Sequence, residues 1–246
     1  PDGLALWSFW ALIAASFVGS FITVAFGIGG GAILLAIMAS LLPIHALIPV
    51  HGVAQVGSNA GRLMITWRDI YWKPFPMFAI GTLIGALVGG SIVVSLPAAW
   101  VQIGIGVFIL WTLIAKVPAL LQKWGALTGF ISSFLTMFFG ATGIFVVAYV
   151  KTFSLDRHRL IATHASFMTL QHSLKSFTFA GLGFAFAPWV PFLGLMLASG
   201  FLGTLVGKQV LVRISEQRFK FALNAILVVL SIRLIWSGAS QLIGWL

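Results

Sequence analysis

A chain of 246 residues that is 60% hydrophobic and only 7% charged is not a water-soluble domain, whose wetted surface needs about a quarter of its residues charged. With a mean hydropathy of +1.10 and no cysteine, it is also neither a disulfide-stapled secreted module nor a disordered binder, which leaves an all-α polytopic membrane protein. Fourteen Lys and Arg face four acids, Asp2, Asp69, Asp156 and Glu216; the cations lie scattered in short gaps between apolar runs, so the partner expected is a bilayer and not nucleic acid.

In chain order the apolar runs fall near 4–25, 44–66, 75–95, 98–115, 122–138, 157–180, 188–208 and 217–237. Runs of this length without strict alternation predict eight long transmembrane helices and exclude a β-barrel. No cleavable leader is recognisable ahead of the first run. Two shorter stretches, 30–41 and 142–150, follow the first and fifth runs through Gly27-Ile28-Gly29-Gly30-Gly31 and Gly140-Ala141-Thr142-Gly143. These glycine-rich joints predict helices broken within the membrane.

Twelve of the fourteen cations form four clusters: Arg62, Arg68 and Lys73; Lys116 and Lys123; Lys151, Arg157 and Arg159; Lys208, Arg213, Arg218 and Lys220. The intervening gaps, around Pro43, around Leu96-Pro97-Ala98 and from Gly181 to Pro188, hold none. If each short stretch also reverses the chain, all four clusters become cytoplasmic and both termini lie outside, as the positive-inside rule requires. Sliding the sequence by 113 residues then pairs Gly27 with Gly140, Gly30 with Gly143, His51 with His164, Arg62 with Lys175, Gly81 with Gly194 and Gly90 with Gly203. With an odd number of elements in each half, the expectation is two inverted repeats of about five elements, 1–116 and 117–246, with a site at the midplane between them.

Ionisable side chains inside a bilayer cost roughly 3 kcal/mol each on insertion scales, so those present need a reason. His51, Gln55, Ser58, Asn59 and Arg62 recur at i, i+4, i+7, i+8 and i+11, on one face of the 44–66 helix. His164, Gln171, His172 and Lys175 occupy the corresponding face of the 157–180 helix, interrupted by Met168. Two assignments stay open for some of them: Gln55, Ser58 and Asn59 as interhelical hydrogen-bond glue, and Arg62 as a cation snorkelling to the interface. The histidines are either packed, hydrogen-bonded side chains or ligands. His45 and His158 sit near helix ends, and Trp67, Trp72 and Trp111 suit interfacial belts.

All four acids lie outside the apolar cores, so the hollow between these faces is expected to be net positive and to suit a small oxyanion. Lys and Arg supply charge, amides and hydroxyls supply donors, and broken-helix N-termini add free N–H groups. His51 and His164 are the expected proton carriers, since an arriving anion draws a proton onto a neighbouring imidazole and the two are carried together. No cofactor is called for. An uncoupled anion channel is the rival within transport. A membrane enzyme using His51, His164 and His172 as metal ligands is a rival of another kind, but it lacks an obvious general base.

The Phe26-Gly27-Ile28-Gly29-Gly30-Gly31 helix end, the polar second helix from Ala54 to Arg62, the glycine-rich third helix from Gly81 to Gly90 and a weaker copy of the whole resemble the TauE/SafE sulfite and organosulfonate transporter family. The resemblance covers nearly the full chain. It implies a multi-pass inner-membrane exporter or permease for sulfite, sulfoacetate or another sulfur oxyanion, not an enzyme. Carried over residue by residue, its motif falls on Gly27, Gly29, Gly30 and Gly31, and on Gly140 and Gly143 in the second half, where Thr142 adds a hydroxyl that the first half lacks. His51, Gln55, Asn59, Arg62, His164, Gln171, His172 and Lys175 join the expected substrate site from the helical-face argument. A metal site is not expected, and a homodimer is compatible with the sequence.

Overall fold

Glycine stops two helices in mid-molecule. In the computed structural model, which describes residues 4–26, 29–93, 96–209 and 216–243, Gly29 (φ 103) and Gly140 (φ 73) adopt backbone that other residues rarely take. A new helix starts within a few residues of each. The order is α1 (Leu6–Phe26), α2 (Gly30–Leu41), α3 (Ile44–Thr66), α4 (Phe75–Val93), α5 (Ala98–Ile114), α6 (Ala119–Lys123), α7 (Gly125–Phe139), α8 (Gly143–Lys151), α9 (Arg157–Gly181), α10 (Val190–Gln209) and α11 (Glu216–Ile243). No strand occurs among the described residues.

Four of these helices, α1, α4, α10 and α11, are long and apolar enough to cross a membrane by length and composition. The eight expected long runs differ from that in two physical ways. α3 and α9 have the length, 23 and 25 residues, but their polar face lowers their hydropathy. α5 and α7, with 17 and 15 residues, rise only about 25 and 22 Å at 1.5 Å per residue. The run expected at 122–138 is divided at Trp124, whose backbone is extended (φ −116, ψ 105). There the Thr128 hydroxyl bonds the carbonyls of Leu121 and Trp124, and a β carbon at Gly125 would lie 2.3 Å from the Tyr149 hydroxyl.

α3 packs along α9 at the centre, α1 along α10, α4 along α7, and α5 along α11. Glycine makes these contacts backbone-close, as in membrane bundles, where small residues replace hydrophobic drive. A β carbon at Gly85 would lie 2.3 Å from the Phe130 carbonyl oxygen, and one at Gly203 would lie 2.2 Å from that of Phe17. Gly89 and Gly207 approach the carbonyls of Phe134 and Phe21, each at 2.9 Å. Phe17 and Phe21 are 113 residues from Phe130 and Phe134, whereas Gly85 and Gly89 are 118 from Gly203 and Gly207. The same offsets relate Ser16, whose hydroxyl donates to Met196 O, to Gly129, which abuts Phe78 O. Along α5 and α11 the offset is 132: Gly106 meets Ser231 O and Ile235 at 2.7 Å, and Gly238 meets Ala99 O and Ile103 at 2.7 Å.

Two of the six pairs from the ungapped 113-residue slide therefore do not share surroundings. Gly81 is pressed against Ala126 O at 1.8 Å for an added β carbon, whereas Gly194 has nothing within 4 Å. Gly90 faces Thr178 and Leu182, whereas Gly203 faces α1. The register slips because α9 runs on to Gly181, two residues past the counterpart of Thr66, and the chain then takes an additional turn at Ala187–Trp189.

Outward faces are apolar, with Ile80, Leu83, Leu87, Leu202, Val229 and Trp236 exposed, as lipid contact requires. Replacing Gly81 by Ala should lower the thermal midpoint of the detergent-purified protein, at a cost of about 1–3 kcal/mol for overpacking. Gly194→Ala should leave it within about 0.5 kcal/mol. Equal effects at the two positions would contradict the contacts described.

Candidate functional site

The central pair α3/α9 turns its polar faces inward. Lys175 is 0% exposed, His51 and His172 1%, Arg62 3% and His164 5%, so none of these side chains faces lipid. Arg62 does not snorkel: its guanidinium donates to Asn59 Oδ1, and Asn59 Nδ2 donates to the Gln55 carbonyl at 2.7 Å. Ser58 is interhelical glue, since the Ser20 hydroxyl donates to its Oγ at 3.0 Å.

The pairing is crossed. His51 stands opposite His172, ring centroids 6.0 Å apart and nearly perpendicular, and Lys175 reaches the α3 backbone at Gly52, where an added β carbon would lie 2.9 Å from Cε. Arg62 lies within electrostatic reach of both His164 and His172. His51 and His164 also face helix breaks, His51 both of them through Gly31 and Gly140. His51 Nε2 bonds Gly31 O at 3.2 Å; since a carbonyl only accepts, Nε2 carries the proton and Nδ1 is left a bare acceptor. A β carbon at Gly143 would lie 3.8 Å from His164 Nε2.

The glycines divide by what they face. Gly31 faces Gln55 Oε1, Gly140 faces Leu35 and His51 Nδ1, and Gly143 faces His164 and Met168. Gly29 packs on Leu223, and Gly30 packs on the Gly19 carbonyl of α1, so helix contacts already require both. Gly27 lies outside the described residues. Thr142, Gln171 and Ser132 close on one another: Ser132 Oγ donates to Gln171 Oε1 at 2.8 Å and Gln171 Nε2 to Thr142 Oγ1 at 2.9 Å. Ser132 was not singled out in the sequence, because a small hydroxyl in an apolar run carries no distinguishing signal.

What remains is a set of buried polar atoms with no partner: His51 Nδ1, Arg62 Nε, His164 Nε2, His172 Nδ1 and Lys175 Nζ. Native interiors leave few such atoms, and each asks for an explanation. Among the described residues the acids do not supply one. Asp69 and Asp156 are exposed. Asp156 caps α9 by accepting from the Arg159 N–H at 3.0 Å, and that bond holds its carboxyl below the usual carboxylate range. Among the described residues no three His, Asp or Glu side chains gather as a metal ion requires. Two clefts lie away from the cluster, one of about 280 Å³ lined by the end of α2, Gln102 and Arg233, the other of about 350 Å³ along Met64–Asp69.

An all-helical bundle with several membrane-length apolar helices, two interrupted helices and, among the described residues, buried cations without an acid beside them defines a multi-pass membrane protein. The family model described as sulfite exporter TauE/SafE matches residues 12–234, and the chain belongs to that family, which implies a membrane exporter of sulfite or a related sulfur anion. No curated protein and no solved structure matches the chain.

An unpartnered buried amine is a liability while nothing is bound. Lys175→Met, which keeps the volume and removes the polar atom, should raise the thermal midpoint of the ligand-free protein by the equivalent of about 1–3 kcal/mol. A lower midpoint would mean that the amine already has a structural partner.

Proposed function

We propose that the protein is a secondary transporter that carries a small sulfur oxyanion, sulfite or an organosulfonate such as sulfoacetate, across the cytoplasmic membrane by alternating access, coupled to protons. The observation that carries this reading is the set of five unpartnered nitrogens on His51, Arg62, His164, His172 and Lys175, with no acid beside them among the described residues. An oxyanion satisfies them at once: Lys and Arg donate to its oxygens, and the first N–H groups of α2 and α8, which lack acceptors within their own helices, add donors and a positive dipole. Its charge draws protons onto the imidazoles, with His51 and His164 the symmetric candidates, so anion and proton travel together. Gln55, Asn59, Gln171 and Thr142 position these groups. Family membership supports the substrate class.

Two inverted halves, 1–116 and 117–246, accommodate this mechanism. Their support is the contact pattern in which α1/α10 repeats α7/α4 and in which α5/α11 and α3/α9 each pair with their own counterparts. Basic loops on the cytoplasmic side, with both termini outside, follow from the distribution of Lys and Arg.

A thermal-shift screen of sulfite, sulfate, thiosulfate, sulfoacetate and taurine on the purified protein tests the site. One of these anions should stabilise the protein, by about 2.7 kcal/mol at a hundred times its Kd. The effect should weaken in Lys175→Ala and vanish when Arg62→Ala is added. Equal stabilisation of all three proteins would remove these residues from the site. In proteoliposomes, flux of that anion should follow an imposed pH gradient and saturate; flux indifferent to protons would favour a channel.

A further inference from the structure

We propose that the cleft where α2 ends against α5 and α11 is an oxyanion site apart from the buried cluster, with the Arg233 guanidinium as its charge and a membrane-lipid phosphate or a free sulfur oxyanion as its ligand. The proposal does not rest on the transport reading above.

Of the fourteen Lys and Arg, only Lys175 and Arg233 lie outside the four basic clusters, and the buried site accounts for Lys175 alone. Arg233 stands within the apolar span Phe221–Ile243, where an ionisable side chain marks a functional feature by default. It is not turned into the bundle. Residues 229, 233 and 236 follow at i, i+4 and i+7 on one side of α11, and Val229, Arg233 and Trp236 are all exposed. Ten residues, about 15 Å of rise, separate Arg233 from the end of α11 at Ile243. Among the described residues it has no hydrogen-bond or ion-pair partner.

The cleft exists because α2 is short. α2 and α11 run side by side, Gly29 against Leu223 and, ten residues further along each, Ala39 and Arg233 on the walls of one recess. α2 then stops at Leu41, whereas α11 continues to Ile243. The recess, of about 280 Å³, is lined by the polar side chains of Ser40, Gln102, Arg233 and Ser237. Gln102 Oε1 accepts from Gln241 Nε2 at 2.9 Å and from the Ser237 hydroxyl at 3.5 Å. That orients the amide and leaves its Nε2 without an acceptor among the described residues. The last carbonyls of α2 lack partners within the helix and carry the negative end of its dipole, which favours a cation here without cancelling its charge. A planar guanidinium and an amide N–H, with no acid beside them among the described residues, match the oxygens of a tetrahedral oxyanion. One cation balances the single charge of a lipid phosphodiester, and the exposed Ile226, Val229 and Ile232 give its acyl chains an apolar track, so a lipid phosphate is the better matched of the two sources. The buried cluster takes no part: His51 bonds Gly31 O at the opposite end of α2, about 15 Å of rise from Leu41.

Native mass spectrometry of the delipidated full chain with dioleoylphosphatidylglycerol tests the lipid source, and thermal shift with sodium sulfate tests the free anion. The wild-type protein should hold one phosphatidylglycerol about ten-fold more tightly than Arg233→Gln, the loss expected of one charge-assisted pair. Arg233→Lys, which keeps the charge and loses the fork, should fall between them. The sulfate arm is read in Lys175→Met, so that the central amine does not contribute: a sulfate-induced rise in midpoint that shrinks when Arg233→Gln is added places a free oxyanion in the cleft. Loss of the lipid alone identifies a phosphate headgroup, loss of the sulfate response alone a free anion, and loss of both a site open to either. Equal binding of both probes with and without Arg233→Gln would overturn the site and leave the transport reading, which depends on Lys175 and Arg62, as it stands. If Arg233→Gln does not fold, Arg233→Lys and Gln102→Leu take its place, and unchanged binding in both overturns the proposal.

Discussion

A cation without a counter-charge inside a low-dielectric bundle is the constraint on which the other features of this molecule depend. Taking an ammonium or guanidinium out of water costs several kcal/mol even after relaxation, and the cost is recovered only when a partner of opposite charge arrives. Among the described residues no partner is present: Lys175 Nζ and Arg62 Nε have none, and Asp69 and Asp156 lie at the surface. The fold must therefore hold a destabilised centre without help from that centre. It does so with backbone-close contacts such as Gly85 on Phe130 and Gly203 on Phe17, which sit in the flanking pairs α4/α7 and α1/α10 and away from the polar faces. Strain concentrated at a site and offset elsewhere is a general mark of function.

The positions of the helices could be read from the sequence because the membrane imposes a length and because Gly and Pro mark the ends. Pro43 and Pro97 cap α3 and α5, and positive φ at Gly29 and Gly140 breaks the chain where the glycine runs lie. The inward faces of α3 and α9 were equally visible, since polar residues in an apolar run at helical spacing have few reasons to exist. What each glycine touches was not visible. Gly30 and Gly31 are adjacent in one motif, yet Gly30 meets α1 and Gly31 meets Gln55, because successive helical positions point 100° apart. Nor could an ungapped comparison detect that α10 is displaced by five residues relative to α4, since glycine recurs often enough in both helices to produce matches in the wrong register.

For the two halves proposed above, the crossed geometry of α3 and α9 bears on how they divide their work. Where a helix pairs with its own counterpart, each residue near the local axis meets its mate or its mate's neighbour. α5 and α11 do this with nearly identical chemistry, Gly106 on Ser231 and Gly238 on Ala99 at the same 2.7 Å. α3 and α9 differ in side chains at positions 113 apart: Asn59 and His172, Arg62 and Lys175, Gln55 and Met168. Under the alternating access proposed here, the two opposed conformations must lie within a few kcal/mol of each other, which matched backbone contacts favour, because whatever one proposed half loses the other gains. Changing charge chemistry on the central pair leaves the matched flanking glycine contacts, and with them that balance, intact.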